Sequence, residues 1–308
     1  MTKNVYLVWL EWPEKCFRVD AKALSYLKSA VPAGSEVVRA KTRRSFFAAL
    51  PRATHVITWY FDREWYALAP KMKVLATPSA GKELIAHPAP EGVEVHHGHF
   101  HGPIMAEAVA AFMLAWCHGF FARRKYAEHS WPRTELGGAC RQLAGSKAVV
   151  VGYGNVGKAV GGKLRSLGVK VEGFRSRNID RLPAAAADAD WFVMVLPATA
   201  KTDNFLDAKL IAKLPRRCVV VNIGRGNSID ERSLVGALKT GRIAGAYLDV
   251  IKDEPSSGLE PGDDGVLAAI AADKDGWSKN LVVMPHSSAF APDYLLNCFR
   301  ELNDDGVL

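Results

Sequence analysis

An α/β fold with two doubly wound parallel sheets is the expectation for this chain, and three observations lead to it. Short apolar runs alternate with amphipathic stretches along almost the whole sequence, the layout of strand–helix–strand crossovers. The alternation comes in two series, parted by one long apolar helix-like segment. The 308 residues, at roughly 150 per domain, give room for two domains.

In the first series Val5–Trp9, Glu36–Val38, His55–Trp59, Val74–Thr77 and Val93–Val95 read as strands, because each is a short β-branched or apolar run. Ala21–Ser29 and Arg43–Leu50 have the mixed spacing of helices between them. Pro103–Arg124 is then read as one long apolar helix, with Pro103 in its first turn and Glu107 soon after. A polar stretch from Trp131 to Gln142 leads into the second series. Its strands are Ala148–Val151, Val169–Glu172, Trp191–Val195, Cys218–Val221, Gly245–Leu248 and Leu281–Met284. Strands joined by helical crossovers pair in parallel, so each series closes into a doubly wound sheet.

Composition excludes several classes. Hydrophobic residues are 49% and charged residues 23%, the balance of a globular protein rather than a disordered one. The five cysteines are scattered and never spaced C-x-x-C, which argues against a disulfide framework and a zinc ribbon. Apolar runs fall short of the roughly eighteen residues of a membrane span; the longest, Ile104–Phe121, is broken by Glu107, His118 and Gly119. Met1-Thr2-Lys3-Asn4 leads straight into a strand without the layout of a signal peptide. A cytoplasmic protein is expected. The net charge is +8, but the basic residues are dispersed and no basic tract is interleaved with aromatics. Anionic small molecules suit that pattern better than nucleic acid does.

The first strand of the second series runs into Gly152-Tyr153-Gly154-Asn155-Val156-Gly157, a G-x-G-x-x-G turn opening an amphipathic helix. That context makes the turn a dinucleotide-binding candidate. Gly152 permits the tight turn, Gly154 lets the backbone approach a pyrophosphate, and Gly157 lets helix and strand pack closely. The anion would lie on free N–H groups at the helix N-terminus. The end of the next strand selects the dinucleotide. Glu172 falls in mid-strand before Gly173-Phe174, and Arg175-Ser176-Arg177 stand at the strand end. Two guanidiniums flanking a hydroxyl suit a 2′-phosphate, so NADP is expected in preference to NAD.

Three later strand ends carry polar residues that packing does not require. Arg225 stands between two glycines in Asn222-Ile223-Gly224-Arg225-Gly226, carboxylates follow Leu248 as far as Glu254-Pro255, and His286 follows Met284-Pro285. Ligands of doubly wound sheets bind beyond the carboxyl ends of the strands. All three segments are expected near the glycine turn.

At these residues the sequence resembles the D-isomer-specific 2-hydroxyacid dehydrogenase family. The resemblance is carried by the glycine turn, Leu196-Pro197 with Thr199 and Thr202, N-I-G-R-G-N-S-I-D at Asn222–Asp230, L-D-V-I-K-D-E-P at Leu248–Pro255, and M-P-H-S-S-A at Met284–Ala289. It is looser ahead of the glycine turn, through Ser79-Ala80-Gly81 and Ala106-Glu107. The resemblance implies two Rossmann-like domains: a smaller, flavodoxin-like, discontinuous substrate domain at 1–98 plus 289–308, and a nucleotide domain at 99–288.

It also implies a catalytic trio of Arg225, Glu254 and His286, reducing a small 2-keto acid such as glyoxylate or hydroxypyruvate. The chemistry agrees with these residue types. Histidine exchanges a proton near neutrality, a neighbouring glutamate favours imidazolium, and arginine forks onto a carboxylate and carbonyl. The cofactor set that follows is Gly152, Gly154, Asn155, Val156, Gly157, Arg175, Ser176, Arg177, Pro197, Thr202, Ile223, Gly224, Asp249, His286 and Ser288, with Asp249 near the nicotinamide carboxamide. The substrate set is Ala80, Gly81, Arg225 and His286. Trp59 and Tyr60 belong either to the substrate pocket wall or to the core.

Formate dehydrogenases of the family are disfavoured, because they carry glutamine where this chain has Glu254. The competing reading is a dinucleotide-sensing dimeric scaffold, as the family's corepressors are. A homodimer formed through Pro103–Arg124 is expected. After His286 the chain has 22 more residues (308 − 286), with Tyr294–Leu302 as a shortened form of the helix that family members return to the first domain. His96, His97, His99 and His101 crowd the expected hinge with Glu94 as the close carboxylate. They are read as strand and hinge residues facing different ways, and no metal is expected.

Overall fold

The computed structural model describes residues 3–255 and 265–308; Met1 and Thr2, read above for a leader, and 256–264 lie outside the described residues. The chain divides into two compact units, Met1–His101 with Phe290–Leu308, and Gly102–Ala289.

The first unit is built on strands β1 (Val5–Trp9), β2 (Glu36–Arg39), β3 (His55–Thr58), β4 (Val74–Thr77) and β5 (Glu94–His97). All pair in parallel, in the order β2-β1-β3-β4-β5, the arrangement of flavodoxin-like sheets. The inner strands β1, β3 and β4 are almost wholly buried, whereas the edge strands β2 and β5 are half-exposed. Leu7, Val56 and Leu75 meet Phe46, Leu50 and Phe61 in the core. Local signals set the helix starts. The Asp20 carboxylate accepts the Ala23 N–H at 2.7 Å ahead of the helix Ala21–Ala30, and Thr42 and Ser45 cap the helix Arg43–Ala49 reciprocally.

The last helix, Tyr294–Asp304, belongs to this unit and packs on Ala21–Ala30, burying Leu295, Leu296, Phe299 and Leu302. It reaches two residues beyond the expected Leu302. The four histidines find different partners: His96 faces Glu94 at 3.6 Å, His99 faces Glu301 at 3.3 Å and Asp305 at 3.8 Å, and His101 bonds the Tyr294 hydroxyl at 2.7 Å. Burial pushes the His97 imidazole below its ordinary pKa. Glu94 is therefore not the only close carboxylate. Glu301 and Asp305 reach His99 from the last helix and the residue that follows it, about two hundred residues on, which no local reading could show.

The second unit has strands β6 (Lys147–Val151), β7 (Lys170–Phe174), β8 (Trp191–Met194), β9 (Val219–Asn222), β10 (Gly245–Leu248) and β11 (Leu281–Val283). They form a parallel sheet in the order β11-β10-β9-β8-β6-β7. Strands buried on both faces are continuous apolar runs, and β8, β9 and β10 are buried throughout. Ala148 and Val150 point to one face, against Val109 and Met113 of the helix Gly102–Cys117 and Val160 and Leu164 of the helix Asn155–Ser166. Val149 and Val151 point to the other, among Leu182, Ile211, Leu234 and Leu238.

Two expected elements are corrected. The helix expected at Pro103–Arg124 runs Gly102–Cys117, stops, and resumes only as Phe120–Arg123. Gly119, at φ +76°, adopts the left-handed conformation that ends helices. The strand expected at Val169–Glu172 runs Lys170–Phe174, so Glu172 pairs opposite Val149 in mid-strand. No helix among the described residues is long and apolar enough to cross a membrane.

Candidate active site

The six strands of the second unit end together. Phe174 pairs with Val151, Val151 with Met194, Met194 with Asn222, Asn222 with Leu248, and Leu248 with Val283. The segments singled out above from Gly152 to Ser288 therefore leave the sheet along one carboxyl edge.

Glycines let the strand-end loops interlock. A Cβ at Gly152 (φ +90°) would lie 2.2 Å from the Val195 carbonyl oxygen, one at Gly224 2.6 Å from the Leu196 backbone, and one at Gly226 1.9 Å from that of Ile251. Backbone packs on backbone along the floor. Gly157 closes the helix onto the turn, its Cβ position being 2.4 Å from the Gly152 oxygen. At Gly154 a Cβ would meet nothing within 4 Å, and Gly154 and Asn155 are exposed where the helix Asn155–Ser166 begins, with Val156 half-buried. The turn thus leaves open backbone at a helix N-terminus, which fits a dinucleotide pyrophosphate.

At the end of β7 the Arg175 Nε–H donates to the Tyr153 carbonyl at 2.6 Å, and the Gly152 and Tyr153 N–H groups donate to the Phe174 carbonyl at 3.0 and 2.9 Å. The glycine turn and the strand end are one hydrogen-bonded body. Ser176 and Arg177 are exposed beside it. Glu172 is engaged elsewhere, 3.8 Å from Lys147 and 3.5 Å from Arg181. After β8 the Thr202 hydroxyl donates to the Pro197 carbonyl at 2.6 Å and accepts the Thr199 N–H at 2.9 Å, closing that loop.

The loop after β9 is held by two polar residues that the sequence reading missed. Asn222 accepts the Gly224 N–H at 3.0 Å and donates to the Arg225 carbonyl at 3.0 Å; the Ser228 hydroxyl donates to that same carbonyl at 2.7 Å. Both residues are fully buried. The available signal was Asn222 itself, a polar residue ending the apolar run Val219-Val220-Val221. Ile223 is buried beside them. The half-buried Arg225 donates from Nη1 to the Gly224 carbonyl at 2.9 Å.

His286 lies past β11 at φ +50°, a left-handed conformation uncommon for a residue with a side chain. Its N–H donates to the Asp249 carbonyl at 2.8 Å. Its Nδ1 faces the Glu254 Oε2 at 3.0 Å, with the two side chains 48% and 42% exposed. That hydrogen-bonded carboxylate holds the imidazolium above the ordinary histidine range, outweighing partial burial and the Arg225 charge, which push the other way. Asp249 is buried, and burial pushes its carboxyl upward. Its oxygens accept the Ser287 and Ser288 N–H groups at 3.0 Å each and the Ser288 hydroxyl at 2.5 Å. In this structure Asp249 and Ser288 are therefore bonded to each other.

In the first unit, the expected substrate residues Ala80 and Gly81 follow β4. The Ser79 N–H donates to the Thr77 hydroxyl at 3.2 Å, the Ser79 hydroxyl donates to the Gly81 carbonyl at 3.1 Å, and Ala80 is exposed. Trp59 is buried, edge-on to Phe17 and tilted against Trp12, and Tyr60 packs on Trp9 and Trp65. Core packing accounts for both.

Comparison with known proteins agrees with this geometry. Residues 110–288, more than half of the chain, match the family described as D-isomer specific 2-hydroxyacid dehydrogenase, NAD binding domain. A glycerate dehydrogenase of Methylorubrum extorquens is 33% identical over 147 residues, covering 47% of this chain and 43% of that protein. A glyoxylate reductase of Thermococcus kodakarensis is 28% identical over 222 residues, covering 63% and 64%. The chain spans less than half the length of that glycerate dehydrogenase and of the related phosphoglycerate dehydrogenases. Two solved structures share the fold over nearly their whole length. A D-isomer specific 2-hydroxyacid dehydrogenase from Xanthobacter autotrophicus, in complex with NADPH, has a TM-score of 0.72 at 24% identity, covering 97% of this chain and 96% of that one. Its counterpart from Lactobacillus delbrueckii, in complex with NAD, has a TM-score of 0.76 at 18% identity, covering 98% and 96%. From the match over residues 110–288, and the motifs that the shared sheet edge brings together, the chain belongs to the D-isomer-specific 2-hydroxyacid dehydrogenase family.

Proposed function

We propose that this protein reduces a small 2-keto acid, of the glyoxylate or hydroxypyruvate kind, to the D-2-hydroxy acid with NADPH. The observation that carries the reading is the His286–Glu254 pair at 3.0 Å, on the sheet edge that also bears Arg225 and the open glycine turn. The nicotinamide, when bound, supplies the hydride that adds to the keto carbon. His286 supplies the proton. With Nδ1 on Glu254, Nε2 is the atom that protonates the developing alkoxide, and the glutamate stabilises the imidazolium beforehand. The ring is neutral afterwards and takes a proton from solvent before the next turnover; in oxidation it receives one instead. Arg225 steadies the substrate carboxylate and carbonyl with its guanidinium.

Gly152, Gly154, Asn155, Val156 and Gly157 hold the pyrophosphate in this reading, and Arg175, Ser176 and Arg177 the 2′-phosphate. Glu172 does not compete, being paired with Lys147 and Arg181. Two copies associate through Pro103–Arg124, where Phe120 is 69% exposed, and the protein works in the cytoplasm. The test is initial-rate kinetics with a panel of 2-keto acids and both cofactors. Turnover of glyoxylate or hydroxypyruvate, faster with NADPH, is expected. No turnover of any 2-keto acid would overturn the reading.

A further inference from the structure

The strand end at Arg175 is shaped by a side chain that the cofactor assignment leaves out. The Arg175 N–H donates to the Asn178 Oδ1 at 2.7 Å, the Asn178 Nδ2 donates to the Gly173 carbonyl at 3.1 Å, and the Asn178 N–H donates to the Arg175 carbonyl at 3.1 Å. One carboxamide thus ties the last turn of β7 to the residues that follow it. We propose that Asn178 is a positioning residue for cofactor selection: its amide fixes the turn that presents Arg175, Ser176 and Arg177 together to the 2′-phosphate of the dinucleotide. The inference rests on the NADPH reading above and adds the residue that makes it work.

The residue type and its surroundings both fit. The clamp needs an acceptor for one N–H and a donor for one carbonyl, and a carboxamide offers both on one short side chain. Asn178 departs from helical backbone (φ −133°, ψ 21°) inside the turn Ser176–Arg181, so the chain bends where the clamp closes. Arg175 is fixed from its other end by the Nε–Tyr153 bond. Among the described residues, its Nη groups and the side chains of Ser176 and Arg177 have no hydrogen-bond partner. Three side-chain donors therefore stand on one hydrogen-bonded turn at the surface, without acceptors among the described residues. Without the clamp, binding a phosphate would also have to order residues 175–178, and that ordering weakens the complex.

The test is calorimetric binding of adenosine 2′,5′-bisphosphate and of 5′-AMP, ligands that differ only in the 2′-phosphate. The wild type should bind the bisphosphate more tightly. Asn178→Ala should lose about tenfold for the bisphosphate and less than about twofold for AMP. Asn178→Ser should recover part of that loss, because serine can still accept the Arg175 N–H, as Ser45 accepts the Thr42 N–H in this chain. In kinetics the alanine change should raise KM for NADPH and leave kcat and the KM for NADH alone. An equal loss for both ligands, or none, overturns the inference while the NADPH reading stands. A wild type without preference for the bisphosphate overturns the NADPH reading, and the inference with it. Should the alanine variant not fold, Asn178→Ser decides: a partial loss confined to the bisphosphate supports the clamp, and any other pattern overturns it.

Discussion

Replacing Glu254 by glutamine tests the proton donor through its partner. Glutamine keeps the size of the side chain and an acceptor oxygen but removes the charge 3.0 Å from His286 Nδ1. In the proposed reduction the active form is the imidazolium, and Glu254 raises the pKa of that group. Activity is therefore present below this pKa and lost as pH rises through it. Without the carboxylate the loss should begin at lower pH. Both side chains are nearly half exposed, so the pair is discounted to the scale of a solvated ion pair, about 0.5–1 kcal/mol. At about 1.4 kcal/mol per decade that is roughly two- to fivefold in kcat/KM on the alkaline limb. The assay is initial-rate reduction of one keto acid across the histidine titration range, at low and high salt. High salt should move the wild-type limb towards that of the variant, because exposed charges are screened. In the oxidative direction neutral imidazole is the active form, and the displacement should favour the variant at low pH. A limb for Glu254→Gln that coincides with the wild-type limb, or lies at higher pH, would refute the coupling.

His286→Ala should lower kcat by about a hundredfold or more with little change in cofactor affinity, read by fluorescence titration; near-normal turnover would remove His286 from the chemistry. Arg225→Lys keeps the charge and loses the planar fork, so kcat/KM for the keto acid should fall strongly; an unchanged value would make the arginine structural. Gly226→Ala forces a methyl to within 1.9 Å of the Ile251 backbone and should cost about 1–3 kcal/mol or more in denaturant unfolding. Gly154→Ala, with nothing within 4 Å, should leave that stability nearly unchanged and weaken cofactor binding, an outcome that a purely structural glycine turn would not give.

Most of the strand framework was legible because buried parallel strands have no polar face to interrupt them. Val149-Val150-Val151 and Val219-Val220-Val221 are apolar on both sides of the sheet, so they read as unbroken runs. The same property misled at Pro103–Arg124. Apolar character continues across His118-Gly119, and only the left-handed Gly119 reveals that the helix has ended. The strand expected at Val169–Glu172 stops short of Phe174 for a related reason. Gly173 looks like a breaker, yet it sits inside β7 because the Tyr153 ring occupies its Cβ position, 2.4 Å away, and that ring comes from another element.

The site divides along the same physical line. Arg225, Glu254 and His286 stand out as candidates because each lies in a motif where its side chain has no packing duty. Ser228 and Asn178 do not, because they act on backbone groups, which leave no mark in a sequence; Asn222 acts the same way, and its only mark is a polar residue closing an apolar run. What joins the two classes is the register of the second sheet, whose strands end in one row from Phe174 to Val283. A row of ends gives each loop a backbone neighbour on either side. Glycines let the neighbours touch, as Gly226 does at Ile251, and buried amides hold the loops that cannot close on themselves, as Asn222 holds Arg225. The exposed pair His286 and Glu254 can keep a 3.0 Å contact because their loops are fixed beneath them: the His286 N–H on the Asp249 carbonyl, and Ile251 against Gly226. The exposed pair on this edge depends on polar bonds below it.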